Sequence, residues 1–207
     1  MKIITLAQQK GGVGKTTVCI NLACQAVRRK KRAVILEMDT RNGSAFGWGE
    51  LRKSTKLPPV PVFDVKSVEL ETALKRLTDA KIDWVFIDLP GGDRPSPGMN
   101  VADLTLIPCR PVEDDVRPSL VTAGLLRRGA GNYAYLMNIA PPGGVRAQKV
   151  GEYLRENGHP VADVIVTQRI GVSDANARGM GINEREPNSE SAEEFSRLFE
   201  WVRGQLR

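Results

Sequence analysis

Short apolar runs alternate with amphipathic segments along this chain of 207 residues. Six apolar runs have the length of a buried strand, and they span Ile3–Ala7, Ala33–Met38, Trp84–Leu89, Leu104–Pro108, Tyr133–Asn138 and Val161–Thr167. Between them, apolar residues recur at helical spacing over 15–30, 44–54, 66–80, 112–128, 145–157 and 189–206. The proline-rich connection 57–62 leaves room for a short edge strand. This alternation predicts one α/β domain over residues 1–207, with a doubly wound, mostly parallel sheet flanked by helices.

Composition disfavours several classes of protein. Hydrophobic residues make up 41% and charged residues 26% of the chain, which is ordinary for a globular domain. No apolar run approaches the roughly 18 residues of a membrane span, and the first residues turn polar too soon for a signal peptide. We therefore expect a cytoplasmic protein. Three cysteines and one histidine at unrelated spacings disfavour a zinc site, an iron–sulfur cluster and a histidine-based triad.

The net charge of +6 is unevenly distributed along the chain, because residues 1–109 hold 17 Lys/Arg against 11 Asp/Glu. A basic balance favours polyanionic partners such as nucleic acid or nucleotide. Part of the excess is the run Arg28–Arg32, at the end of a predicted helix. Cations there complement the negative end of the helix dipole, and they equally suit a surface that faces DNA. The sequence leaves both interpretations open.

The first predicted strand leads into a glycine-rich loop that opens a helix. The loop, residues 9–17, reads Gln-Lys-Gly-Gly-Val-Gly-Lys-Thr-Thr, in the strand–loop–helix context of a phosphate-binding loop. Backbone N–H groups and the helix N-terminus favour phosphate, while Lys15 supplies a positive charge and Thr16 a hydroxyl for Mg²⁺. The predicted nucleotide ligands in this loop are Gly11, Gly12, Val13, Gly14, Lys15, Thr16 and Thr17.

A second lysine, Lys10, precedes the glycines, and glutamine stands at position 9 where the standard pattern has glycine. A lysine at position 10 is expected to point away from its own phosphates and towards the nucleotide of another subunit. The sequence Lys-Gly-Gly-x-Gly-Lys-Thr-Thr resembles the deviant Walker A motif of the ParA/MinD family of ATPases. The resemblance implies an ATP-sandwich homodimer, with Lys10 contacting phosphate across the dimer and Lys15 acting within its own subunit.

Two further strands end in carboxylates. Val85–Asp88 is an apolar run whose final Asp88 is placed to hold the water shell of Mg²⁺, and Gly91 and Gly92 after it suit a switch loop that senses the γ-phosphate. The other strand ends in Glu37-Met38-Asp39. By resemblance, Asp39 begins switch I, lies near the metal and positions the attacking water. The family's Pro-Gln pair is absent from residues 40–42, so we expect altered switch geometry and an altered hydrolysis rate.

The base is expected to be adenine, since the chain lacks the Asn-Lys-x-Asp tetrapeptide with which GTPases of this fold read guanine. The end of the run Tyr133–Asn138 resembles the family's strand end near adenine, which makes Asn138 a candidate contact. By the same likeness, Gln168 and Arg169 border the adenine pocket. ATP and Mg²⁺ are therefore the expected cofactors.

The resemblance implies a positioning ATPase with weak basal hydrolysis. Its ATP dimer would bind DNA without sequence preference and associate with the nucleoid, and a ParB-like or other cargo adaptor would stimulate hydrolysis. The cargo would be a plasmid, a chromosome or another assembly. Because the P-loop begins near residue 10, we expect the short form without an N-terminal helix-turn-helix domain. Candidate DNA contacts are Arg146, Lys149, Arg169, Arg178, Arg197 and Arg203.

Two other functions remain as alternatives. The amphipathic segment 191–207 would suit a MinD-like membrane-targeting helix, although the same pattern is typical of a helix packed on the sheet. A P-loop biosynthetic ligase of the dethiobiotin-synthetase kind shares this core and would not need Lys10. We expect no membrane partner.

Overall fold

The computed structural model describes residues 1–39, 43–92, 96–129 and 131–206. Within these ranges the chain forms a seven-stranded sheet in the order β3-β2-β4-β1-β5-β6-β7, and all of its pairings are parallel. The strands are β1 Lys2–Leu6, β2 Ala33–Glu37, β3 Val62–Asp64, β4 Trp84–Asp88, β5 Leu104–Cys109, β6 Tyr133–Ala140 and β7 Val161–Thr167.

Helices cover both faces of the sheet. They are α1 Lys15–Arg28, α2 Ser44–Lys53, α3 Leu70–Asp79, α4 Pro97–Asn100, α5 Glu113–Arg128, α6 Val145–Glu156, α7 Ile170–Asn176, α8 Ile182–Arg185 and α9 Glu190–Gln205. One hydrophobic cluster joins α1, α2, α7, α8 and α9 to the sheet, and a second joins α3, α4, α5 and α6 to its other face. The predicted doubly wound parallel fold is confirmed.

The edge strand β3 overlaps only the last residue of the proline-rich connection 57–62, where a short edge strand was expected. It begins at Val62, directly after Pro61, because proline has no N–H to donate to a strand ladder. Pro61 still contributes its carbonyl, which accepts a hydrogen bond of 2.9 Å from the backbone N–H of Ile35.

The short helices α4, α7 and α8 have no counterpart among the predicted elements. They are 4, 7 and 4 residues long, and so few turns give no hydrophobic periodicity to detect. Within the described ranges, no helix has both the length and the apolar character needed to cross a membrane.

The sheet order brings three strand ends together. β4 lies between β1 and β2, and Asp88 at its carboxyl end is in register with Leu6 of β1 and Glu37 of β2. The glycine-rich loop follows β1 directly. One edge of the sheet therefore gathers the phosphate loop and the two predicted acidic segments.

Candidate nucleotide site

The glycine-rich loop adopts a backbone that only glycine tolerates without strain. Gly12 and Gly14 have φ values of 73° and 85°, in the left-handed region that other residues rarely adopt. A Cβ on Gly14 would also lie 2.5 Å from the side-chain nitrogen of Asn138. Gly14 is the N-cap of α1, so the loop ends where the first unpaired N–H groups of that helix begin, which is a favourable place for phosphate.

Lys15 is the buried cation of this loop. Its side chain is only 8% exposed, and its Nζ donates to the carbonyls of Gln8, at 3.3 Å, and Lys10, at 3.4 Å. Burial lowers the pKa of Lys15, and the charges of Asp88 and Asp39 oppose that shift. The ammonium group therefore lies between the loop and both predicted carboxylates, where a phosphate would meet it.

The two residues predicted to bind the metal, Thr16 and Asp88, contact each other. The Thr16 hydroxyl donates to Oδ2 of Asp88 over 2.5 Å, and Asp88 is 1% exposed. Burial raises the pKa of Asp88 to about 7, against the opposing effects of the Thr16 hydrogen bond and the Lys15 charge. Within the described residues, the buried Oδ1 of Asp88 has no hydrogen-bond partner. An unpartnered carboxylate oxygen beside a hydroxyl fits Mg²⁺, which prefers oxygen ligands and keeps its own waters.

The two carboxylates at the end of β2 have different surroundings. Asp39 lines the cavity beside the loop. Glu37 is 1% exposed and accepts from the backbone N–H groups of Ala45, at 3.1 Å, and Phe46, at 2.7 Å. Burial raises the pKa of Glu37, and these two amides oppose the shift. Glu37 thus caps α2, a role that sequence reasoning missed; the altered switch residues 40–42 lie outside the described residues.

A cavity of about 1120 Å³ lies over the phosphate loop. It is walled by the loop, by Asp39, by the first turns of α2, by Gly91 and by the end of α7. The sequence did not predict the residues that form the other walls of the cavity, which include Trp48, Leu51, Asn176 and Ala177. Its volume slightly exceeds the about 300–1,000 Å³ of typical small-molecule sites, so a nucleoside triphosphate fits.

Gly91 approaches the phosphate loop closely. A Cβ at this position would lie 2.8 Å from the carbonyl oxygen of Gln9, whereas Gly92 has open space around it. The first of the two predicted switch glycines is therefore required by packing against the loop. The residues after them, 93–95, lie outside the described ranges.

Lys10 does not line this cavity. Its Nζ lies 2.6 Å from Oδ1 of Asp115 and donates to the carbonyl of Asp114 over 3.3 Å. Asp115 is buried and also accepts from Arg110, over 2.5 Å and 3.0 Å. Burial alone would raise the pKa of Asp115, but the hydrogen bonds from Arg110 and Lys10 hold it below its usual value. Lys10 thus points away from its own phosphate loop, towards the first turn of α5.

The residues expected near adenine do not meet in the cavity. Asn138 is buried behind the phosphate loop, where its amide donates to the carbonyl of Val13 over 2.7 Å. Gln168 is exposed, and Arg169 forms ion pairs with Glu190 and Glu194. Asn138 therefore supports the loop, because its amide is already used there, and Arg169 joins β7 to α9.

The candidate DNA contacts lie on different faces of the sheet. Arg146 and Lys149 lie on α6, which packs on one face of the sheet, while Arg197 and Arg203 lie on α9, which packs on the other. Arg178 is exposed after α7. These residues do not form one continuous surface.

A parallel sheet with a phosphate loop after β1 and a buried aspartate at the end of β4 defines a P-loop nucleoside-triphosphate-binding protein. A family model described as an AAA domain matches residues 1–81. The chromosome-partitioning ATPase Soj of Thermus thermophilus is 27% identical over 99% of this chain and 96% of that protein. The chain is thus similar over nearly its whole length to an ATPase of the ParA/MinD kind.

Solved structures share this fold. MinD in the MinC:MinD cell division complex of Aquifex aeolicus superposes with a TM-score of 0.80, at 16% identity over 99% of this chain and 96% of that chain. A plasmid partition protein of Borrelia burgdorferi, solved with AMPPNP, gives a TM-score of 0.75 at 16% identity over 99% of both chains. The ParA/MinD-like ATPases that the chain resembles are involved in partitioning or positioning.

Proposed function

We propose that this chain is a ParA-like positioning ATPase that binds ATP with Mg²⁺, forms an ATP-sandwich homodimer and binds DNA without sequence preference. The placement of Lys10 carries the proposal. This lysine belongs to the phosphate loop, yet it lies outside the cavity and pairs with Asp115. A cation on the rim of the loop would reach a nucleotide held by a second copy of the chain once it exchanges Asp115 for phosphate.

Within one subunit, the loop amides and Lys15 bind the phosphates and neutralise their charge. The Thr16 hydroxyl and the Asp88 carboxylate would hold Mg²⁺, which neutralises the developing charge in phosphoryl transfer. Asp39 lines the same cavity and would orient the attacking water. Gly91 packs against the loop, so a change at the γ-phosphate would reach the switch after β4.

The ATP-bound dimer, and not the single subunit, would interact with DNA and with an adaptor protein. Face-to-face contact of two phosphate loops would move Lys10 from Asp115 to the partner's phosphates. The ATP dimer would then associate with the nucleoid, and an adaptor protein on the cargo, ParB-like or of another kind, would stimulate an otherwise weak hydrolysis. The likeness to a chromosome-partitioning ATPase and a plasmid partition protein supports a partition or positioning role.

The membrane alternative receives no support from the described helix α9. Its apolar residues Phe195, Leu198, Phe199 and Val202 are at most 1% exposed and belong to the core. A helix that uses its apolar face to pack on the sheet has no such face left for a lipid surface. A ligase, in turn, would have no use for a lysine directed away from its own cavity.

The test is binding to a random-sequence DNA duplex with ATP, with ADP and without nucleotide, at two salt concentrations. We expect binding that is much stronger with ATP, weakens with salt and falls to the nucleotide-free level in Lys10→Ala, while Lys10→Ala still binds nucleotide as a monomer. Size-exclusion chromatography with light scattering would follow the dimer in parallel. The absence of DNA binding in every state would overturn the proposal, and vesicle binding or turnover of a small-molecule acceptor would then indicate one of the alternatives.

A further inference from the structure

The amino ends of β1, β2 and β4 gather cations on the side of the sheet opposite the phosphate loop. Four segments meet there, 1–2, 28–32, 79–83 and 200–206, and we call their surface the amino-end face. The segments hold eight Lys/Arg against three Asp/Glu, a net charge of +5 in a chain whose total is +6. Nearly all of the net charge of the chain thus lies on one surface.

Specific contacts join these segments. The backbone N–H of Arg32 donates to Oδ2 of Asp83 over 2.7 Å, and the backbone N–H of Lys2 donates to the carbonyl of Asp83 over 2.8 Å. Nζ of Lys2 donates to the carbonyl of Leu206 over 3.0 Å. Lys2, Lys31, Asp83 and Arg203 also line a common cleft of about 310 Å³ with Trp84. Residues distant in sequence therefore form one continuous face.

Most of the acidic groups on this face are already engaged. Glu200 pairs with Arg29 at 2.9 Å and with Arg203 at 2.7 Å, and a carboxylate oxygen of Asp83 accepts from Arg32. Four exposed cations have no carboxylate within ion-pair distance among the described residues, and they are Arg28, Lys30, Lys31 and Lys81. Their charge is available to an external anion.

Capping of α1 does not account for these cations. The final carbonyls of the helix, from Gln25 to Val27, accept backbone N–H groups of residues 29, 30 and 31. A helix terminus carries only about half an elementary charge, and its effect fades within the last turn. Lys30 and Lys31 lie beyond the helix end at Arg28, and Lys81 belongs to another element.

We propose that the amino-end face is the surface through which this chain binds DNA, by contacts of Lys and Arg with backbone phosphates. The choice of DNA as the polyanion rests on the proposed function; the location rests on the charges and contacts just described. Lys30, Lys31 and Lys81 belong to this face, and none of them lines the nucleotide cavity. Contacts of this kind carry no sequence information and weaken with salt.

The location has a consequence for the dimer. Subunits joined through their phosphate loops would meet at the carboxyl ends of their strands, so their amino-end faces would point away from each other. ATP would then strengthen binding to any DNA long enough to reach both faces, since a second contact made within one complex occurs at high effective concentration. One dimer would be able to hold two duplexes at once.

The test compares two triple variants that each remove three exposed cations. Lys30→Ala/Lys31→Ala/Lys81→Ala alters the amino-end face, and Arg146→Ala/Lys149→Ala/Arg178→Ala is the matched control. Each is titrated with a random-sequence duplex in ATP over a series of salt concentrations, and with a fluorescent ATP analogue. For the first variant we expect at least about tenfold weaker DNA binding and a salt slope that is shallower by about 0.9 for each lost phosphate contact. ATP-analogue binding stays unchanged, and the control behaves as wild type.

The possible failures are distinguishable. Equal DNA binding by the amino-end variant and wild type, or a loss confined to the control, would overturn the location and leave the proposed function intact. Wild type that binds no DNA in any nucleotide state would overturn both. Wild type that binds anionic vesicles in place of DNA, with the loss again in the amino-end variant, would replace the partner and overturn the proposal as stated.

Discussion

The two ends of the sheet use charge in opposite ways. At the carboxyl end, Lys15, Glu37 and Asp88 are 8%, 1% and 1% exposed, and each charge faces particular atoms a few ångströms away. At the amino end, Lys30, Lys31 and other cations are exposed and mostly unpaired. At the carboxyl end the exact position of each charged group therefore matters, whereas at the amino end the total charge of the surface matters.

Dielectric surroundings explain the difference. Removing one partner from a buried charged group costs about 3–5 kcal/mol, because the other group is left without compensation. An exposed charge contributes about 0–1 kcal/mol to an ion pair and is screened by salt. Single substitutions should therefore have large and separate effects at the carboxyl end, and small, nearly additive effects at the amino end.

The largest effect is expected for Lys15→Ala. The substitution removes the cation that lies between the loop and Asp88, so phosphate binding loses its main point charge and ATP affinity should fall by about a hundredfold or more, the equivalent of about 3 kcal/mol. Titration with a fluorescent ATP analogue measures it. Lys149→Ala, which removes an exposed cation that does not line the cavity, serves as the control and should bind the analogue as wild type does; an equal loss there would contradict a specific role for Lys15.

The second-largest effect is expected for Glu37→Ala, which removes the side chain that caps α2. The substitution leaves the N–H groups of Ala45 and Phe46 without their acceptor, and loss of a helix cap costs about 1–2 kcal/mol. The free energy of unfolding from urea titration should fall by that amount. ATP affinity should fall as well, since α2 forms one wall of the cavity.

The matched control is Glu50→Ala, which removes an exposed carboxylate from the same helix. It should change the free energy of unfolding by less than about 0.5 kcal/mol. If Glu37→Ala were as stable as Glu50→Ala, Glu37 would not position α2.

Hydrophobic periodicity and one local motif were enough to predict the fold and to place the phosphate loop and Asp88 at one edge of the sheet. The alternation of runs predicted the parallel sheet, and the phosphate loop was recognisable because its residues are contiguous between β1 and α1. Asp88 followed for a similar reason, because it ends an apolar strand. These features are encoded within single segments of the chain.

The remaining parts depend on contacts between distant segments. Asp115, which pairs with Lys10, and Trp48, which walls the cavity, reach the site only through tertiary packing. Asn138 was expected at adenine, but its amide is used by the carbonyl of Val13. The acidic first turn of α5, residues 113–115, was the only local signal for the partner of Lys10, and it is equally typical of an ordinary helix start.

A smaller effect is expected for Lys30→Ala at the amino-end face. Because the side chain is exposed and has no described ion-pair partner, the free energy of unfolding should stay within about 0.5 kcal/mol of wild type. DNA affinity should fall only about two- to threefold, since one of several phosphate contacts is lost. A loss as complete as that of the triple variant would show that Lys30 acts by its position, which would break the comparison between the two ends.

The smallest effect concerns His159, a partly buried titratable group at the amino end of β7. Its Nδ1 lies 3.0 Å from the Tyr133 hydroxyl, which also accepts from Nε of Arg127 over 2.9 Å. With Arg127 donating to its oxygen, the hydroxyl can direct its own proton to Nδ1, which accepts only when the ring is neutral. Burial, and secondly the charge of Arg127, lower the pKa of His159 below 6.5.

Since the folded state favours the neutral ring, the contribution of His159 to stability is present above pH 6.5 and is lost as the pH falls through the folded-state pKa. Urea titrations of wild type and His159→Asn on either side of that window should show a slightly larger loss for wild type on acidification; parallel pH profiles would mean that the ring titrates as it does in the unfolded chain.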